Sequence, residues 1–309
     1  HSFPTRRSSD LARFLFNGGD SQKDFNQKFL NNKHVKIIYY TPKSWLLFPN
    51  SDIKGGIAIT YYDPEENFGA IGIFIPFKEL KSVHKKVVLD NKNFSPLSSF
   101  IYPAEIYHFT EKMHKDFPTA KNILSKGHAY DLKSNVLEKL PEIFFDEKPN
   151  DGNEYIQILG LINKDRIYKW IRRDYINNPA PLEKFKVLLP KSNGTGMINE
   201  KLSTPLVGLP LVGNTQTFIT LGAFDTRTEA DNALKFVKTK FARALLGVLK
   251  CTQDNPPSTW ACVPLQDFNA NSDIDWSRSI SEIDLQLYEK YKLDAAEIDF
   301  IEEKVKPMA

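Results

Sequence analysis

A long amphipathic helix near the C-terminal end dominates what this sequence can form. Thr226 and Glu229 stand at the spacing of a capping box, which predicts a helix start. Apolar residues then recur every three or four positions as far as about Lys250. They are Ala230, Leu234, Val237, Phe241, Leu245 and Val248, while Lys235, Thr239, Arg243 and Lys250 lie roughly opposite. One face of this helix must therefore be buried against another layer, and we expect the opposite face to be basic and exposed.

Strand patterns come before that helix and supply the second layer. Two β-rich runs, Val35 to Tyr40 and Ile57 to Tyr62, read as neighbouring strands. The string GLINKDRIYKW predicts a hairpin, and further strands are predicted over Phe185 to Leu189 and Thr217 to Ala223. The fold class predicted is therefore α/β.

Shorter helices complete the pattern. Apolar spacing predicts one helix from Phe77 to Val88. Ser279 with Glu282, and Asp294 with Glu297, predict two capped helices that close the chain. With 309 residues, the chain is long enough for two domains, and we place the boundary between residues 12–75 and residues 76–309.

Composition excludes several classes of protein. The net charge of +3 is only mildly basic, so a nucleic-acid footprint has to be sought in local clusters. The two cysteines, Cys251 and Cys262, have no second cysteine pair or histidine pair beside them, which argues against zinc and favours reduced thiols in a cytoplasm. No run approaches the roughly 18 apolar residues of a membrane span. The sequence predicts no metal site.

The first eleven residues, HSFPTRRSSDL, show neither an apolar signal core nor helical periodicity. They resemble the translation of a sequencing adapter joined to a truncated gene. We therefore leave residues 1–11 out of the expected fold, with a disordered tail as the alternative.

A segment that mixes aromatic residues with cations is the first candidate for nucleic-acid contact. It runs from Tyr168 to Arg173 and contains Lys169, Arg172 and Arg173. Cations suit phosphate contacts, and aromatic rings suit base stacking. A solvated strand edge protected by its charges is the alternative.

Other candidate DNA contacts lie in loops and on the long helix. Lys191 and Asn193 open a turn-rich loop that continues through Thr195 and Gly196, and a plain hairpin turn is the alternative. Arg243 lies on the expected basic helix face, which could equally be only solvated. Gln216 suits a base edge best, because its amide both donates and accepts hydrogen bonds.

The string Asp254-Asn255-Pro256-Pro257-Ser258 invites comparison with the turn that holds the target amine in amino-methyltransferases. It lacks the aromatic residue of that turn and follows a charged helix end, so we interpret it as a loop. No catalytic residue is predicted in the chain.

Several strings closely resemble restriction-modification N6-adenine DNA methyltransferases. In the N-terminal part they are RFLFNGG, the run Val35 to Tyr40, and FPNSDIKGG. In the C-terminal half they are GAFDTRTEA, KTKFARALLGVLKCTQDNPP, VPLQDF, LYEKY and AEIDFIEE, in that order. The resemblance spans nearly the whole chain from Ala12.

The resemblance implies a two-part enzyme that acts on duplex DNA with S-adenosylmethionine. Residues 12–75 would be the C-terminal remnant of a Rossmann-like catalytic domain, and residues 76–309 a mixed α/β target-recognition region ending in helices. Phe48, followed by Pro49, matches the family's aromatic residue that stacks on a flipped base. The chain begins after the cofactor motif and the catalytic motif, so alone it should not transfer a methyl group, and a nuclease could share the parent polypeptide. Two alternatives stay open: a stand-alone DNA specificity subunit and a non-catalytic protein-interaction module.

Overall fold

The computed structural model describes residues 6–16, 23–51, 53, 55–194, 198, 200–250 and 252–308, without the side chains of residues 6 and 7. Within them the chain is a mixed α/β protein, so the predicted fold class is confirmed. The predicted turn at Gly18 and Gly19, the loop residues Thr195 and Gly196, and Cys251 lie outside the described residues.

Ten strands and nine α-helices are described in these ranges. The strands are β1 (Arg6–Leu11), β2 (Val35–Thr41), β3 (Ile57–Tyr62), β4 (Ile101–Tyr102), β5 (Tyr155–Ile162), β6 (Asp165–Arg172), β7 (Phe185–Pro190), β8 (Leu206–Gly208), β9 (Val212–Asn214) and β10 (Phe218–Phe224). The helices are α1 (Lys23–Leu30), α2 (Lys78–His84), α3 (Glu111–Asp116), α4 (Ala120–Ile123), α5 (Val136–Lys139), α6 (Arg227–Lys238), α7 (Lys240–Leu249), α8 (Ile280–Lys290) and α9 (Ala295–Lys304).

The N-terminal unit is a small antiparallel sheet in the order β1-β3-β2. Its core contains Leu15, Leu30 and Ala58, so α1 and the turn after β1 cover the sheet. The sequence predicted β2 and β3 within one residue of their ends and also predicted that they would be neighbours. That this unit is the remnant of a larger Rossmann-like domain stays a prediction.

For residues 6–11 the structure corrects the expectation that residues 1–11 take no part in the fold. Arg6–Leu11 forms β1 and pairs with β3 in a continuous antiparallel register from Arg6 opposite Tyr62 to Leu11 opposite Ile57. The physical reason is that the edge of a sheet offers free backbone donors and acceptors, which an extended segment satisfies whatever its side chains are. Ser8, Ser9 and Leu11 are accordingly exposed.

Two further sheets build the rest of the chain. The middle sheet has the order β6-β5-β9, and its core includes residues of α3, α4 and α5. The C-terminal sheet has the order β4-β10-β7-β8, and its core includes residues of α2 and α6 to α9. A small cluster of Leu159, Leu188 and Phe218 joins the two sheets, since Leu159 belongs to β5 and the others to β7 and β10.

The helix predicted from Thr226 to about Lys250 is two helices, and the prediction of one continuous helix is wrong. Thr239 leaves the helical conformation (ψ 150°), ends α6 and caps α7 by accepting a hydrogen bond from the backbone N–H of Ala242. The buried carboxylate of Asp284 on α8 accepts the backbone N–H groups of Lys240 and Phe241. A helix start inside the core needs such acceptors because its first amides have no partner within the helix. All three predicted capping boxes are present.

Candidate nucleic-acid interface

Strand β6 carries cations and aromatic rings on one face. Its register with β5 is continuous, from Ile162 opposite Asp165 to Tyr155 opposite Arg172. Because side chains alternate along a strand, Arg166, Tyr168, Trp170 and Arg172 share one face, and Ile171 turns into the core of the middle sheet on the other. Tyr168 is 41% exposed. We call Arg166, Tyr168, Trp170 and Arg172 the β6 face.

The aromatic part of this face is held from the side by the segment after α5. Phe145 and Trp170 exchange two backbone hydrogen bonds of 2.8 Å, and the Phe145 ring is partly exposed. The Nζ of Lys148 lies 5.8 Å from the centre of the Trp170 ring. The backbone pairing fixes the position of Trp170, and the lysine adds a cation beside its ring.

Three of the predicted DNA-binding cations lie together on and just after β6, and each has a carboxylate partner within the chain. Lys169 pairs with Asp146. Arg172 donates to both oxygens of Asp174 at 3.0 and 2.6 Å, which raises the pKa of its guanidinium.

The third, Arg173, pairs with Glu183 at 3.1 Å and donates to the carbonyl of Ile176. A phosphate would therefore have to compete with these carboxylates for all three cations. Asp146, Asp174 and Glu183 are themselves substantially exposed, so water screens each pair.

Lys191 and Gln216 come together at the end of β7. The backbone N–H of Lys191 donates to Thr217, the neighbour of Gln216, and its ammonium pairs with Glu105 at 2.9 Å. The backbone N–H of Gln216 donates to Leu132, which ties this turn to the middle sheet. Both side chains are partly exposed, and their contact with DNA stays a prediction.

Asn193 and Arg243 are buried, so the structure corrects the expectation that they present their side chains at the surface. The Asn193 amide accepts from the backbone N–H and hydroxyl of Ser203 and donates to the carbonyl of Lys201. Arg243 is 3% exposed. Its guanidinium donates to the carbonyls of Lys238, Thr239, Glu200 and Lys306. Burial lowers its pKa to about 10, against the pull of Asp284.

The helical wheel failed for Arg243 because the wheel assumed one continuous helix with one solvated side. The break at Thr239 and the segment that ends near Lys306 cover that side instead. A guanidinium satisfied by four backbone carbonyls holds chain segments together and does not face a ligand.

Arg166 is a member of the interface that the sequence analysis missed. Its guanidinium lies 5.4 Å from the centre of the Phe218 ring and donates to the carbonyl of Ser203 at 3.2 Å. Because Ser203 is in turn bound by Asn193, the loop after β7 and the hairpin tip are linked through one backbone segment. The alternation of Arg166 with Tyr168 and Trp170 along a predicted strand was the signal that could have identified it.

Phe48 and Pro49 lie on an exposed loop of the N-terminal unit. The loop is fixed by Ser44, whose hydroxyl donates to the carbonyl of Ser51 and accepts from the backbone N–H of Ile53. Phe48 is 46% exposed and lines an open cavity of about 390 Å³ with residues of β1 and β3. The ring is therefore available at the surface, and its stacking on a flipped base stays a prediction.

The Asn-Pro-Pro string forms a structural loop. Asn255 is fully buried, donates to the carbonyl of Pro190 and accepts from the hydroxyl of Thr259, while a short 3-10 helix spans Pro257–Trp260. Within the described part of the chain, no group of three or more His, Cys, Asp or Glu side chains could hold a metal ion. Nor does any described helix combine the length and the apolar character that crossing a membrane requires.

Comparison with known proteins adds one structural likeness. No protein-family model matches the sequence, and no curated protein matches it. Among solved structures the chain is similar to the type IIG restriction endonuclease BpuSI, at 9% sequence identity and a TM-score of 0.37. The match covers 97% of this chain and 46% of that one, so this chain spans less than half of that enzyme's length. A functional proposal for the chain has to rest on its own residues.

Proposed function

We propose that this chain binds duplex DNA as the target-recognition region of an adenine-specific DNA methyltransferase in a bacterial restriction-modification system. The observation that carries the proposal is the β6 face, where Arg166, Tyr168, Trp170 and Arg172 lie on one side of a single strand. Rings and guanidinium groups at this spacing suit contact with bases and phosphates. The resemblance of the sequence strings to adenine methyltransferases supplies the enzyme class.

The methyl transfer itself is proposed for the longer protein to which this region would belong. S-adenosylmethionine would be the methyl donor there, and Phe48 with Pro49 would stack on the extruded adenine. A nuclease domain or subunit remains part of the same proposal, as does a cytoplasmic location.

Fluorescence anisotropy with a randomised duplex pool tests the DNA-binding part. We expect duplex affinity to fall linearly with the logarithm of salt concentration, and we expect single-stranded RNA of equal length to bind more weakly. Equal affinity for both, or none for duplex, would remove the proposal.

The role of the β6 face is tested by Tyr168→Ala, with Phe25→Ala as its matched control. Both rings are exposed, but Phe25 lies on α1 in the N-terminal unit, whose sheet does not contain β6. Removing a ring that stacks on a base costs about 1 to 3 kcal/mol, which corresponds to at least about a fivefold loss of affinity. We expect that loss for Tyr168→Ala and no loss for the control. Equal effects of the two variants would show that the β6 face is not the contact surface.

A further inference from the structure

The β5–β6 hairpin ends in a two-residue turn that strains a lysine. Asn163 (φ 51°) and Lys164 (φ 71°) both occupy the left-handed region between Ile162 and Asp165. Two positive φ values in a two-residue hairpin loop are the signature of a type I′ turn, for which Asn-Gly is the favoured pair. Asparagine tolerates this conformation well, whereas a lysine does not. Glycine would fit the second position better for the fold alone.

The position of this turn is fixed by its neighbour. Arg166 donates to the carbonyl of Ser203 and lies over the Phe218 ring, so the first residues of β6 are attached to the C-terminal sheet. Asn163, Lys164 and Asp165 are nevertheless exposed. The tip is therefore an exposed element on a fixed base, and such preorganisation lowers the entropy lost on binding.

The hairpin cations that lack a carboxylate partner in the described part of the chain also lie at the tip. Lys169, Arg172 and Arg173 are each neutralised by a carboxylate. Among the described residues, Lys164 has no hydrogen-bond or ion-pair partner, and Arg166 has no carboxylate partner. Asp165 stands between them in the sequence, and alternation turns its side chain to the face opposite Arg166. Within the hairpin, the positive charges that no described carboxylate neutralises therefore lie at or next to the tip.

We propose that Lys164 at the tip of the β5–β6 hairpin binds a backbone phosphate of duplex DNA and extends the β6 face by one contact. From Lys164 to Arg172 a strand at about 3.4 Å per residue spans roughly 27 Å, which is the rise of about eight base pairs. At a position that favours glycine, Lys164 adds an exposed ammonium group to the tip. This inference rests on the proposed function and names the residue that the basic segment of the sequence did not indicate.

The experiment uses Lys164→Gly in the full chain, with Lys292→Gly as the matched control. Lys292 is also an exposed lysine in the left-handed region (φ 52°), but it follows α8 and is not part of the β5–β6 hairpin. Each change removes one positive charge and relieves the same backbone strain. We therefore expect the thermal midpoint of each variant to rise slightly, by about one degree, rather than fall.

Only the first variant should change DNA binding. Losing one phosphate contact should reduce the magnitude of the slope of log affinity against log salt by about 0.9. When salt is raised from about 50 to about 200 mM, the factor by which the variant's affinity falls should therefore be roughly 3.5 times smaller than the factor for the parent. Lys292→Gly should keep the parental slope, and so should Lys164→Arg, which keeps the positive charge at the tip.

The outcomes separate the two proposals. If the parent chain binds duplex DNA with a salt-dependent affinity and Lys164→Gly keeps the parental slope, the tip contact is wrong and the proposed function stands. The tip contact is equally wrong if Lys292→Gly lowers the slope by the same amount, because the effect is then one of general charge. If the parent chain has no preference for duplex DNA, the proposed function fails and the phosphate contact fails with it.

Discussion

Lys186 has a buried side-chain amino group where the chain passes from the middle sheet into β7. It is fully buried, and its Nζ donates to the carbonyl oxygens of Pro181, Leu182 and Lys184 at 2.8, 3.3 and 3.1 Å. Leu182 lies in the core of the middle sheet, and Val187 lies in the core of the C-terminal sheet. The ammonium group therefore holds the segment that joins the two cores.

Burial lowers the pKa of Lys186 from 10.5 to about 7, although the nearby charge of Glu183 raises it. The folded state thus binds the proton more weakly than the unfolded state does. Between the two pKa values the unfolded chain holds more protons, so stability rises with pH across this range. At about 1.4 kcal/mol per pH unit, the gain between about pH 6 and pH 9 is on the order of 2 to 3 kcal/mol.

Lys186→Met tests this reasoning because it removes the titrating group and keeps a side chain of similar length. The free energy of unfolding would be measured with urea, which does not screen charges as guanidinium does, in steps across that pH range. The variant should be less stable overall, since three carbonyls lose their donor. The difference between the parent and Lys186→Met should grow with pH by the amount worked out above. Lys126→Met, which removes an exposed lysine, is the control for the loss of one lysine. A difference that stays flat would refute the reasoning and would mean that the three carbonyls keep the ammonium charged.

Three other substitutions test contacts that hold separate segments of the chain together. Burial raises the pKa of Asp284 from 3.8 to about 6, so its contribution to stability is complete only below the unfolded pKa and is lost as pH rises to about 6. Relative to Asp284→Asn, the parent should lose roughly 2 to 2.5 kcal/mol between about pH 4 and pH 7 in urea unfolding. Arg243→Met should destabilise the chain by about 2 to 4 kcal/mol, because four backbone carbonyls lose their hydrogen-bond donor. It should leave the salt slope of DNA binding unchanged, because it removes no exposed charge. A reduced slope would show that Arg243 does contact DNA. Gly56→Ala should lower the thermal midpoint by several degrees. Gly56 has a φ of +81°, and an added Cβ would lie 2.2 Å from the carbonyl oxygen of Thr41. An unchanged midpoint would show that the turn can adjust to the added methyl group.

Local sequence patterns predicted the elements of this fold well. The strands β2, β3 and β7, the β5–β6 hairpin and the three capping boxes all follow from apolar spacing and turn residues within about ten positions. The break at Thr239 was not predictable in this way. It depends on the carboxylate of Asp284, which arrives from α8 more than 40 residues later and supplies acceptors for the first amides of α7. Contacts between elements that are distant in sequence leave no periodic signal.

The same limit explains why the sequence indicated the segment from Lys169 to Arg173, whereas the structure draws attention to Lys164 at the hairpin tip. The basic segment from Lys169 to Arg173 is conspicuous in the sequence, but the carboxylates that neutralise it include Asp146 and Glu183, which stand 23 and 10 residues away from their partners. The cation at Lys164 stands out only when its backbone conformation is known.

The pairing of charges also bears on how strongly salt should act. Five of the residues predicted to contact DNA are cations, and five free phosphate contacts would give a slope of about −4.5 for log affinity against log salt. The structure buries Arg243 and pairs the other four with carboxylates, which leaves Lys164 and Arg166 as the hairpin cations without an acidic partner among the described residues. Two contacts correspond to a slope near −1.8. A slope shallower than about −4.5 is therefore expected if this chain binds DNA, and the rings of the β6 face would then contribute part of the affinity.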